Sequence, residues 1–142
     1  MTRTIAFVLL AVAPVLAADP PAALKPFQGK WVVSAATLGG RDHKDDFASL
    51  KLTVTGDKYE TTLNILKDAG TVTVNAAKSP KWLTLNSSEK NGPFKGRTMP
   101  GIYEFKGGKL LVCLNSEKAD RPTKFDAPEK TPLMLIEFTK SK

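Results

Sequence analysis

Cysteine and histidine are nearly missing: the 142 residues hold one of each, Cys113 and His43. A single cysteine excludes an intramolecular disulfide framework, an iron–sulfur site and a cysteine-rich zinc site. A single histidine excludes most histidine-based metal sites and leaves one candidate base for triad chemistry. Arginine is scarce too. Of the 21 basic residues only Arg3, Arg41, Arg97 and Arg121 are arginines. Proteins that read nucleic acid gather arginine on one face, whereas here lysines are scattered between all the apolar runs, so no nucleic-acid partner is expected. No Gly-x-Ser-x-Gly elbow is present, and no enzymatic machinery or cofactor site is legible. Long apolar runs are also lacking. The longest, from Ile5 to Leu16, is shorter than the ~20 residues that span a bilayer and contains Pro14, so no stable membrane anchor is expected.

That run has the layout of an export signal. Arg3 supplies the positive start, Ile5–Leu16 the apolar middle, and Val15-Leu16-Ala17 the compact residues that precede cleavage. Residues 1–17 are therefore expected to be a signal peptide, with Ala18 a nearly equivalent cutting point. No cysteine directly follows the run, which excludes lipid attachment at the cleavage point. The expectation is an exported protein, periplasmic or extracellular. Losing Arg3 lowers the formal charge from +7 to 7 − 1 = +6. Residues 18–26, which open with Ala18-Asp19-Pro20-Pro21, read as a flexible, extended lead.

From Phe27 to the end, residues 27–142, the pattern changes to strict alternation broken by Gly, Asn, Asp and Pro. Eight short segments each carry one apolar face: 30–36, 51–55, 59–65, 71–76, 81–86, 101–105, 109–115 and 131–139. In the first, Trp31, Val33 and Ala35 share a face. Asp68-Ala69-Gly70 reads as a turn, Lys106-Gly107-Gly108 as a tight hairpin, and Asp45–Leu50 as a short helical turn. Eight consecutive hairpin-linked strands predict an all-β domain, an eight-stranded antiparallel up-and-down barrel, because closure removes the exposed edges that separate ribbons would leave. A monomer needs nothing further to complete that core. Such a barrel is just wide enough either to be filled by side chains or to hold one small ligand.

Phe27-Gln28-Gly29-Lys30-Trp31 resembles the Gly-x-Trp opening of lipocalin-like barrels, in which the tryptophan plugs the closed end. With Gly101-Ile102-Tyr103-Glu104-Phe105, Lys109–Leu114 and Arg121-Pro122-Thr123-Lys124-Phe125, the chain resembles a family of exported lipocalin-like domains abundant in planctomycete bacteria. The resemblance runs from about Leu24 to Lys140. It implies a lipocalin-like barrel and an exported location, and no enzymatic activity. In lipocalins an arginine of the last strand stacks on the opening tryptophan. Here the last strand has none, and Arg121 precedes it.

The barrel suggests the candidate site residues. Trp31, Tyr59 and Tyr103 are bulky residues on the inward face, and Arg97 and Arg121 lie in the two long connections, Ser87–Pro100 and Ser116–Lys130. If both connections fold over one mouth, they form a basic rim suited to the head of a small apolar or amphiphilic ligand. The alternative is a filled barrel that meets an envelope protein or anionic polymer through its surface and loops. Asp42-His43-Lys44-Asp45-Asp46 matches no metal-loop spacing, and Lys44 would repel a cation. Cys113 alternates with Lys109 and Leu111, away from the inward set.

Overall fold

The computed structural model describes residues 21–142; residues 1–17, read above as a signal peptide, and residues 18–20 of the lead lie outside the described residues. A 3-10 helix, Ala22–Phe27, leads into nine strands: β1 (Gly29–Leu38), β2 (Arg41–Asp42), β3 (Lys51–Thr55), β4 (Lys58–Leu63), β5 (Leu66–Asn75), β6 (Lys81–Ser87), β7 (Thr98–Lys106), β8 (Lys109–Asn115) and β9 (Leu133–Lys140). Each of the eight alternating segments forms one long strand. They pair antiparallel in the order β1-β3-β4-β5-β6-β7-β8-β9, and β9 returns to pair with β1. The ring is a closed eight-stranded barrel. The two-residue β2 hangs outside it, paired with the end of β1.

Alternation sends one face of every strand inward. Leu52, Val54, Tyr59, Val72, Leu83, Leu110, Val112, Ile136 and Phe138 are all buried in one cluster. The inward set departs from simple alternation once. A bulge in β1, between Val33 and Ala35, adds a residue opposite β9 and shifts the phase. Ala36 is therefore buried and Ala35 exposed, the reverse of the alternation read from Trp31. Ser34, the extra residue, donates its hydroxyl to Glu137 Oε1 at 2.8 Å. That bond first, and Lys109 at 3.1 Å second, hold the Glu137 carboxyl below its ordinary range.

Two further expectations are corrected. Residues 22–26 of the lead are not extended: they form the 3-10 helix, and its Leu24 and Phe27 are buried against the barrel. The turn read at Asp68-Ala69-Gly70 lies inside β5, and the chain reverses at Asn64-Ile65, between the paired residues Leu63 and Leu66. Asn64 takes the left-handed conformation (φ 54°) that this two-residue connection uses.

The connections divide by end. At the end where β1 starts they are short, around Gly56-Asp57, residues 76–80 and Gly107-Gly108. At the other end lie 39–50, 64–65, 88–97 and 116–132, which set the shape of the site.

Candidate functional site, an apolar cavity open at one end

The end where β1 starts is solid. Phe27, delivered by the 3-10 helix, meets Tyr103 and Phe105 edge-on at ring-centroid distances of 4.8 and 4.9 Å. Trp31 packs beside Phe105, and its indole N–H donates to the Phe27 carbonyl at 2.7 Å. Gln28 ties this plug to the β3–β4 turn, donating to the Gly56 carbonyl at 2.8 Å and accepting from the Gly56 N–H at 2.7 Å. The ammonium of Lys140, in β9, stands 4.8 Å from the Trp31 ring centre and donates to the Gln28 carbonyl. A lysine of the last strand thus covers the opening tryptophan, the place where the lipocalin resemblance puts an arginine.

Above the plug lies a cavity of about 290 Å³, at the lower edge of the roughly 300–1,000 Å³ usual for ligand pockets. Its floor is Phe27, its wall the inward aliphatics Leu52, Val54, Val72, Leu83 and Val112, and its rim Phe47, Leu66, Pro93, Phe94 and Met134. Phe47 comes from the 39–50 connection, where Phe47 N–H bonds to the His43 and Lys44 carbonyls and bends the backbone back over the mouth. Phe94 comes from the 88–97 connection. Among the lining residues only Lys67 and Asp68 carry charge.

Asp68 is 1% exposed, and its environment explains how a carboxylate sits in an apolar wall. Tyr59 donates its hydroxyl to Oδ2 at 2.6 Å, and Ser87 donates to Oδ1. Gly70 sits directly opposite both Tyr59 and Ser87, and a side-chain carbon there would collide with the Asn86 backbone. Burial first, then the bond to Asp68, pushes the Tyr59 phenol well above its ordinary range, so it stays a donor. The acceptor is engaged by two donors, and the cavity surface remains almost wholly apolar. Ser87 and Lys90 have Ser-x-x-Lys spacing, but Ser87 ends a strand, where residues three apart do not share a face as they do on a helix.

The five candidates separate. Tyr59 lines the cavity; Trp31 and Tyr103 belong to the plug beneath it. Arg97 is exposed and donates to the Ser116 carbonyl at 3.3 Å. Arg121 is on the outer wall. Its Nη1 donates to the Leu83 and Gly101 carbonyls, both at 2.7 Å, its Nη2 donates to Thr84 Oγ1 at 2.9 Å, and its guanidinium lies 4.5 Å from the Trp82 ring centre. The basic rim expected from two long connections is therefore half built: 88–97 edges the mouth, while 116–132 folds down the outside as a strap. Ile102, Cys113 and Ala127, none of them exposed, fill the space beneath the strap. The Cys113 thiol donates to the Asp126 carbonyl at 3.3 Å, and burial raises its pKa, which keeps it an unreactive thiol. His43 pairs with Asp46 at 2.8 Å in the exposed 39–50 connection.

Phe27, Phe47, Phe94 and Asp68 are the site residues that sequence reasoning missed. The three phenylalanines lie outside the ring strands, and Asp68 resembles a turn residue until its two donors are known. No family model matches the chain, and no curated protein or solved structure matches it.

Proposed function

We propose that this is an exported lipocalin-like binding protein whose barrel takes a small apolar or amphiphilic molecule. The observation that supports this reading is the apolar cavity, plugged at one end and open at the other. A ligand enters tail first, because the buried Asp68 would repel an anionic head and its acceptor oxygens already have donors. The head of an amphiphile stays at the mouth near Lys67, whose ammonium is loosely held by Glu60 at 3.6 Å. The volume favours ligands at the small end of the usual range.

Titration with a fluorescent fatty acid tests this. Saturable binding is expected with a micromolar constant, about −8 kcal/mol, because no buried arginine clamps the head. Leu85→Phe, which adds bulk to the lining, weakens it while the barrel still folds. No saturable signal up to roughly 100 μM, well above the expected constant, would favour a filled structural barrel instead.

A further inference from the structure

The two most exposed large apolar side chains among the described residues are neighbours, Ile65 at 98% and Leu66 at 50%. They form the tip of the β4–β5 hairpin, and Leu66 also lines the cavity rim. An isoleucine fully in water at a tight turn gains nothing for the fold, since Asn64 alone supplies the special backbone angle. The 88–97 connection lies against this hairpin: a side-chain carbon on Gly92 would come within 3.0 Å of the Lys67 carbonyl. Around its tip the hairpin and the connection carry Lys67, Lys90, Lys95 and Arg97, against Glu89, Glu60, which holds Lys67 loosely at 3.6 Å, and Asp68, which is buried beneath two donors. The other acids of the mouth, Asp42, Asp45 and Asp46, belong to the 39–50 connection, where Asp46 is paired with His43.

We propose that this side of the mouth docks on an anionic lipid bilayer, with Ile65 and Leu66 entering the interface and the lysines meeting the headgroups. Apolar tips ringed by basic side chains bind such surfaces by combining buried apolar area with attraction to anionic lipid. Docking would set the cavity rim on the surface where amphiphiles are dissolved. That consequence rests on the cavity reading; the docking itself does not.

The test is co-sedimentation of the mature chain, residues 18–142, with vesicles of phosphatidylglycerol and phosphatidylcholine in equal parts, or of phosphatidylcholine alone. Binding to the anionic vesicles is expected, reduced by salt, with little on the neutral ones. Ile65→Asp is expected to weaken it about tenfold or more, since it removes the burial of one large aliphatic side chain. Its melting temperature should be unchanged, because Ile65 touches no core. In Ile65→Trp, indole emission should shift to the blue on adding anionic vesicles. Absence of binding at low salt, or equal binding by Ile65→Asp, overturns the proposal. Fatty-acid titration without vesicles separates the two readings. If Ile65→Asp binds the probe normally but not the vesicles, both readings stand. If vesicles bind and the probe does not, the cavity reading alone fails.

Discussion

At the plugged end of the barrel, connections of a few residues hold aromatic rings from β1, β7 and the 3-10 helix against one another, and the Trp31 indole and the Gln28 amide are both hydrogen-bonded there. At the open end the same strands, with the same alternation, present aliphatic side chains of middling size, and the longer connections cover them only in part. The difference lies in residue size and connection length rather than in the sheet. One sequence period can thus build a rigid foundation and a receptive mouth on the same eight strands.

The comparison breaks most visibly under truncation. Trp31→Ala removes the centre of the plug and should cost about 3–5 kcal/mol in urea unfolding. Phe94→Ala, at the half-covered rim, should cost less than about 1 kcal/mol. Equal costs would mean that the two ends are not energetically distinct.

A smaller effect is expected on the outer wall. Arg121→Ala deletes three charged hydrogen bonds and should cost about 2–3 kcal/mol. It should also loosen the strap, so that a thiol reagent labels Cys113 in the folded variant but not in the parent. A parent chain labelled at the same rate would remove the strap from the account.

The smallest expected effect sharpens the comparison through pH. The chain has two tyrosines, Tyr103 in the plug and Tyr59 in the cavity wall, and burial raises the pKa of both. The folded state therefore holds protons that the unfolded chain releases near pH 10.0. The stability this contributes is fully present below that pH and falls as pH rises beyond it. Absorbance titration should show neither phenol ionising before the barrel unfolds cooperatively. A reversible native ionisation near pH 10 would mean that one ring is wetter than described.

Much of the barrel was legible because alternation is local: Leu52 and Val54, or Leu110, Val112 and Leu114, declare their face without reference to a partner. What was not legible depends on distant groups. The bulge at Ser34 is meaningful only beside Glu137, 103 residues away. Asp68 looks like a turn residue until Tyr59 and Ser87 are placed on neighbouring strands. Lys140 carries no mark as the cover of Trp31. Of the site, Tyr59 and the aliphatic wall could be read, while the rim phenylalanines sit in connections whose path no periodicity sets. Arg121 was read as a candidate for the basic rim, but its planar fork suits backbone carbonyls on the outer wall as well as it suits a carboxylate.

The pairing of β1 with β9 has a consequence in time. Trp31 lies opposite Lys140, and the Ser141 N–H bonds to the Lys30 carbonyl. During synthesis, β1 must wait for a partner that emerges about a hundred residues later. Until then the nascent chain is an open ribbon with two unpaired borders, and loop-closure entropy makes the final joining slow. Joining β9 to β1 is therefore the step that completes the ring: a chain without β9 leaves Trp31 uncovered by Lys140 and both borders exposed.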